Sequence, residues 1–343
     1  MSARPPLWPG ADHDRLLRAA LLEGAAARAE FAAWRPGRDL DALDAAATRL
    51  LPLVARNLAT GEPLDDPFNR RVAAVARAAW LKTQTLVARA RPLLAALGAA
   101  GVRPLLIKGW AVAPAYGGDP RLRPMDDLDF AVPRSDRALA WRLLLEHGFR
   151  PLEDLAETHG ALDRRISWNF SAGGAADVDL HWHVLDLAPR EEMDREIRRD
   201  AVAADLAGIP CDALAAEDAL LSAVLHAARW EPVRPIRWAA DAALLVRARG
   251  ADFDWERLFE RARSAHAEAP LAAALDYLAR RLEVAVPSHG RRRLSRPPLW
   301  RRIEHRAALS PAPARSRAGR WALAAGAELR REARPGDRLG NGR

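Results

Sequence analysis

The chain has 343 residues, 50% of them hydrophobic and 29% charged, a length that allows two or more packed units and a composition typical of globular proteins. No stretch of 18 or more uncharged apolar residues occurs, which excludes a helical membrane span, and the single cysteine, Cys211, excludes an intrachain disulfide and fits a reducing, cytoplasmic setting. The net charge of +8 is uneven: fifteen arginines against four acidic residues between His289 and Arg343 put +11 there, so the rest of the chain carries −3. Acids and prolines interrupt the opening MSARPPLWPGADHDR, so no signal-peptide core is expected.

Residues 13 to about 58 show helical spacing, broken at Trp34-Arg35-Pro36-Gly37. A longer helical pattern runs from Pro67 to Leu97, with Pro92 expected to kink or divide it and Gly98 and Gly101 to end it. The pattern then changes. Arg103 to Ile107 (RPLLI) predicts a buried strand leading into Lys108-Gly109, with a short helix over 110–116. Leu128 to Val132 predicts a second strand, and Ser135 starts a helix closed by Gly148. RRISWNF (164–170) and ADVDLHWHV (176–184) predict a hairpin. Helices are expected again over 190–200, 215–229, 235–248, 254–266 and 269–283, with a last amphipathic one over 318–333. The fold class is therefore α+β, a small mixed β-sheet core flanked by N- and C-terminal helical regions. Its expected divisions are 1–98 (helical), 99–188 (α/β core), 189–288 (helical) and 289–343 (a basic Arg/Pro-rich tail, partly disordered).

Chemistry concentrates in the core. Alternation along a strand places Asp127 and Asp129 on one face, Leu128 and Phe130 on the other, and leaves Asp126 as a turn residue. Two carboxylates side by side raise each other's pKa unless a cation lies between them, and oxygen ligands suit Mg²⁺. In DVDLHWH, Asp177, Asp179, His181 and His183 share a polar face opposite Val178, Leu180, Trp182 and Val184. Taken alone this is a half-exposed strand; beside the Asp127–Asp129 pair it offers a third acidic ligand. The H-x-H spacing evokes zinc but lacks a cysteine or HExxH partner. A strand that ends in Lys108-Gly109 at the start of a helix leaves backbone N–H groups free to meet phosphate. Only Lys82 and Lys108 are lysines among 53 basic residues, a hint that Lys108 supplies a compact ammonium. Arg121 and Arg123 read equally as phosphate contacts or as surface charges.

The order Lys108-Gly109, Arg121, Asp127-Leu128-Asp129 and Asp179-Leu180-His181-Trp182 resembles the nucleotidyltransferases of the DNA polymerase β superfamily, and within it the bacterial group of uncharacterised nucleotidyltransferases. The resemblance spans about residues 60–250 and takes in His226 and Arg237-Trp238-x-x-Asp241. It departs from the superfamily in replacing a Gly-Gly or Gly-Ser turn by Lys-Gly, and in a longer gap from Gly109 to Asp127. The resemblance implies Asp127, Asp129 and Asp179 as metal ligands and catalytic residues, holding two Mg²⁺ ions with Mn²⁺ as a substitute. Lys108, Gly109, Arg121 and Arg123 would contact the triphosphate of an NTP such as ATP. His181 matches a motif position without an assigned role.

The implied activity is an Mg-dependent nucleotidyltransferase (EC 2.7.7 type). It would move a nucleoside monophosphate from an NTP to a hydroxyl of a small-molecule or protein or peptide acceptor, by two-metal in-line displacement. Two alternatives stand beside it. One is a catalytically weak or inactive regulatory or partner-binding module, antitoxin-like. The other is an RNA-directed transferase that uses the arginine-rich tail; nucleic acid contact there is the less favoured reading, and no membrane partner is expected.

Overall fold

The computed structural model describes residues 7–58, 67–119, 121–153, 165–173, 177–186, 189–232, 235–294, 297–311 and 315–332. The N-terminal region is helical: α1 (Ala11–Leu21), α2 (Gly24–Trp34), α3 (Ala45–Thr48), α4 (Leu51–Leu58) and the long α5 (Pro67–Ala99). Leu16, Leu17, Ala20 and Leu21 give α1 its buried stripe. The Asp44 carboxylate caps α3 by accepting from the Ala47 N–H at 2.8 Å. Pro92 does not divide α5, which runs through it. Ala90, Leu93, Leu94 and Leu97 flank the proline and are fully buried, so packing holds both halves.

A seven-stranded mixed sheet follows. Its strands are β1 (Leu105–Leu106), β2 (Leu128–Ala131), β3 (Arg150–Pro151), β4 (Ser167–Ser171), β5 (Val178–His181), β6 (Val202–Leu206) and β7 (Ile209–Ala213), in the spatial order β3-β4-β5-β2-β1-β7-β6. The β4–β5 hairpin is antiparallel as expected; the residues expected to open its strands, Arg164 and Ala176, lie outside the described ones. β2 pairs in parallel with β5, and β1 in parallel with β7. Short α6 (Lys108–Val112) follows β1, and α7 (Arg137–Glu146) covers one face, where Trp141 packs edge-on against Trp168 and Phe170.

The β6–β7 hairpin falls in the gap between the helices expected over 190–200 and 215–229, inside the division 189–288 expected to be helical, so the sheet takes in strands from beyond residue 188. Alanine, aspartate and proline fill six of the ten positions in its strands, VAADL and IPCDA, and carry little strand propensity. Tertiary pairing of Leu105 with Asp212 and Leu106 with Ala213 decides the structure instead. Ala207 and Gly208 turn the hairpin with positive φ (54° and 78°), as a two-residue primed turn requires. The remaining helices are α8 (Glu191–Arg199), α9 (Ala216–Ala227), α10 (Arg237–Arg249), α11 (Trp255–Ser264) and α12 (Glu268–Arg281), close to the expected ranges.

In the arginine-rich stretch, α13 (Ser288–Leu294), α14 (Leu299–Ala308) and α15 (Arg317–Glu332) are helical. Leu294, Ala307, Leu309 and Ala322 are buried there, and Arg301 pairs with Glu304 at 2.9 Å out of solvent. That burial gives these positions a packing role that the charge pattern concealed. Residues 333–343 lie outside the described ones. No described helix is long and apolar enough to cross a membrane.

Candidate active site

The parallel register of β2 and β5 sets Asp129 directly opposite Asp179. Leu128, Phe130, Val178 and Leu180 are buried completely, while the two aspartates turn to the opposite face and are themselves 6% exposed. His181, two residues beyond Asp179, shares that face. Its Nε2 donates to Asp179 Oδ2 at 2.7 Å and lies 3.8 Å from Asp129 Oδ1. Ligand atoms of Asp129, Asp179 and His181 all fall within 4.8 Å of one another.

Lys108 enters this group from the β1–α6 junction. Its Nζ donates to Asp129 Oδ1 at 2.6 Å and to Asp179 Oδ2 at 3.0 Å. Burial opposes its charge, but Asp129 and Asp179 outweigh that and hold the ammonium above its ordinary pKa. Burial likewise pushes the Asp179 carboxyl up, and His181 and Lys108 together bring it well below the usual range. The His181 imidazole is disfavoured as a cation by burial and by Lys108, yet Asp179 and Asp129 raise it to about 9. Asp179 Oδ1 is buried and has no hydrogen-bond partner among the described residues. An orphaned carboxylate oxygen inside a group of oxygen and imidazole donors fits a hard divalent cation such as Mg²⁺ or Mn²⁺.

Asp127 precedes β2 and lines the same cleft as Asp129, in keeping with strand alternation, although it stands outside the close Asp129–Asp179–His181 group. Burial, and then Asp129, raise its carboxyl to about 6. The folded pKa is thus above the unfolded value of ~3.9, so the fold loses stability as pH rises through about 6 and bears the full cost above it. Asp127→Asn is expected to stabilise the metal-free protein by about 1–2 kcal/mol at pH 8, and to have little effect at pH 4. Urea denaturation at the two pH values checks this.

The cleft is about 310 Å³ in volume. Lys108, Asp127 and Asp129 stand on its sheet side; Arg49, His226 and Arg237 line other parts of its wall. Arg49 and Lys82 both pair with Asp126, which gives the first aspartate of the acidic run a bridging role between the N-terminal helices and the start of β2. The Trp110 indole Nε1 donates to the Asp127 carbonyl at 2.8 Å, so the tryptophan after Gly109 anchors the acidic strand. A Cβ on Gly109 would meet Arg123 Nη1 at 1.9 Å and Met125 Sδ at 2.6 Å; glycine is required there for close packing.

The two arginines before the aspartates part company. Arg121 is exposed, pairs with Asp119 at 2.7 Å and does not line the cleft. Arg123 is buried and forks onto Asp241, Nε to Oδ1 at 2.9 Å and Nη2 to Oδ2 at 2.8 Å, while Tyr116 Oη donates to the same Oδ1 at 2.7 Å. Its guanidinium is thereby committed to a structural pair.

Arg237 and His226 fall within the resemblance, which gave neither of them a role. Arg237, in the first turn of α10, contacts the Pro124 carbonyl and has no carboxylate within ion-pair distance among the described residues. Burial, and then Arg123, depress its pKa to about 10. His226 Nδ1 donates to the buried Asp186 at 2.8 Å, with Arg229 Nη1 3.4 Å from the same carboxylate oxygen. Burial raises the Asp186 carboxyl, and the hydrogen bond and charge of His226, together with Lys108 and Arg229, bring it below its ordinary value. His226 and Asp186 lie 40 residues apart, and no local pattern announces such a pair.

Among solved structures, the antibiotic-resistance factor ANT(2'')-Ia in solution is similar at 19% identity, covering 57% of this chain and 96% of that one, with a TM-score of 0.39. The same factor in complex with adenylyl-2''-tobramycin aligns over 53% of this chain and 97% of that one, at 19% identity and a TM-score of 0.37. An antigenic nucleotidyltransferase-like protein from Paracoccidioides brasiliensis aligns over 60% of this chain and 95% of that one, at 15% identity and a TM-score of 0.36. These likenesses are too distant to carry chemistry across. No curated protein matches the chain. The family described as uncharacterised nucleotidyltransferase matches residues 39–283, a span that contains α3 to α5, all seven strands, the cleft and the helices through α12. The chain belongs to that uncharacterised nucleotidyltransferase family.

Proposed function

We propose that the protein transfers a nucleoside monophosphate from an NTP, ATP among the candidates, to a hydroxyl of a small-molecule, protein or peptide acceptor. The observation that carries this reading is the opposition of Asp129 and Asp179 across two parallel strands, beside His181 and a cleft that also receives Asp127. Asp127, Asp129 and Asp179 would hold a pair of Mg²⁺ ions. Bound there, such ions neutralise the charge of a triphosphate and acidify an acceptor hydroxyl.

The protein's own share is placement and charge. Lys108, Arg49 and Arg237 supply positive charge around the cleft, and Arg237 has the most to offer an anion because no carboxylate among the described residues lies within ion-pair distance of it. A triphosphate there would relieve the electrostatic strain between Arg237 and Arg123. Arg121 and Arg123, anticipated as phosphate contacts, are less suited, since each is spent on a carboxylate. Ala45, Ala46 and Ile236 form an apolar part of the wall that suits a nucleobase or an acceptor.

Isothermal calorimetry with Mg²⁺ and each NTP tests the reading. Binding of at least one NTP only when Mg²⁺ is present supports it; no binding of any NTP points to a regulatory module instead. Arg237→Met is expected to weaken NTP binding about 10- to 100-fold, the loss of one charge-assisted contact of 1.5–3 kcal/mol. Arg121→Ala is expected to leave affinity unchanged in the same assay.

A further inference from the structure

We propose that Lys108 is a built-in counter-ion which occupies the Asp129–Asp179 pair and must leave it when a divalent ion binds there. The inference rests on the metal-dependent reading above and concerns what the chain does before any ion arrives.

Lys108 Nζ contacts Asp129 Oδ1 and Asp179 Oδ2, and Asp129, Asp179 and His181 each offer a ligand atom within 4.8 Å of the others, so an ion held between the two carboxylates would compete with the ammonium for their oxygens. One ammonium and one ion cannot share both oxygens at bonding distance. The lysine backbone adopts a left-handed φ of 48°, uncommon for a residue with a Cβ, and its side chain reaches between the two strands. Two nearly buried carboxylates without a cation would repel each other strongly. An arginine fork is broader than the gap that a compact ammonium bridges here, which accounts for one of the chain's two lysines standing at this position.

Lys108 also lines the cleft. Released from the carboxylates, its ammonium would remain beside the place proposed for the triphosphate and could pair with it. Ion and nucleotide would then support one another's binding: the ion displaces the ammonium, and the nucleotide gives it a new anionic partner. The metal-free protein stays neutralised from within.

Mn²⁺ titration followed by electron paramagnetic resonance tests the exchange without measuring turnover. Lys108→Met is expected to bind Mn²⁺ at least about tenfold more tightly than wild type in the absence of nucleotide, equivalent to ~1.4 kcal/mol. It is also expected to lose much of the gain in Mn²⁺ affinity that an NTP confers on the wild type. Unchanged or weaker Mn²⁺ binding by a folded Lys108→Met overturns the proposal and leaves the transferase reading standing. Failure of both proteins to bind Mn²⁺, with or without NTP, overturns the two together.

A second measurement avoids the variant altogether. Lysine labelled with ¹³C at Cε gives two side-chain resonances in this chain, and Lys82→Arg leaves the Lys108 signal alone. Addition of Mg²⁺ with a non-hydrolysable NTP is expected to shift that signal. A signal that stays in place while calorimetry shows the nucleotide bound overturns the proposal.

Discussion

Replacement of Asp129 by asparagine is expected to lower nucleotidyl transfer by about 10³-fold or more while the protein remains folded. The change is nearly isosteric, so β2 keeps its register against β5. It removes one of the three carboxylate charges proposed to hold divalent ions, and electrostatic stabilisation of the reacting groups is commonly the largest single contribution to catalysis. The fold survives because Lys108 keeps Asp179 as a partner and Asp179 keeps His181. Asp179→Asn should abolish transfer to a similar degree with a larger loss of stability, since it weakens contacts to Lys108 and His181 together. Initial rates with saturating NTP, beside a thermal melt of each variant, check both outcomes. An Asp129→Asn protein that is folded and retains wild-type transfer would remove this carboxylate from the mechanism.

Arg123→Leu is expected to destabilise the protein by about 3–5 kcal/mol, the cost of leaving a buried carboxylate without its counter-charge. Asp241 is buried, and after the substitution it would retain, among the described residues, the Tyr116 hydroxyl as its side-chain hydrogen-bond partner. Burial pushes the Asp241 carboxyl up, and Arg123 at present holds it below its ordinary value. The pair ties the approach to β2 to helix α10, so its loss should also distort the cleft. The double variant Arg123→Leu with Asp241→Leu should recover part of the lost stability, because no uncompensated charge is left behind. Arg121→Ala, two residues away on an exposed side chain, should not change the denaturation midpoint measurably. A fully stable Arg123→Leu would show that this pair does not tie the strand to the helix.

The contrast between these neighbouring arginines shows what the sequence made legible. Strand parity correctly placed Asp127 and Asp129 toward one cleft, and the alternation in DVDLHWH placed Asp179 and His181 on one face. Both are local facts, set by the two-residue period of a strand. The pairing of Asp129 with Asp179 depends on a parallel register between distant strands, and it emerged through the family resemblance rather than from either segment alone. Arg123 and Asp241 are 118 residues apart, so nothing near Arg123 announces that its guanidinium is paired with a carboxylate. The same limit hid the β6–β7 hairpin, whose structure comes from pairing with β1, and the packing role of Arg301 in α14. Lys108 was visible as an unusual lysine, but its reach back onto the carboxylates depends on a backbone conformation that its residue type disfavours.

The most direct measurement is the fate of the phosphate label. Wild-type protein incubated with Mg²⁺, a small-molecule and protein extract as acceptor source, and NTPs labelled at either the α or the γ phosphorus should pass only the α label to an acceptor. The γ label should leave as pyrophosphate, and Asp129→Asn should do neither. Transfer of the γ label to an acceptor, or α-label transfer undiminished in Asp129→Asn, would contradict nucleotidyl transfer at the Asp129–Asp179 site.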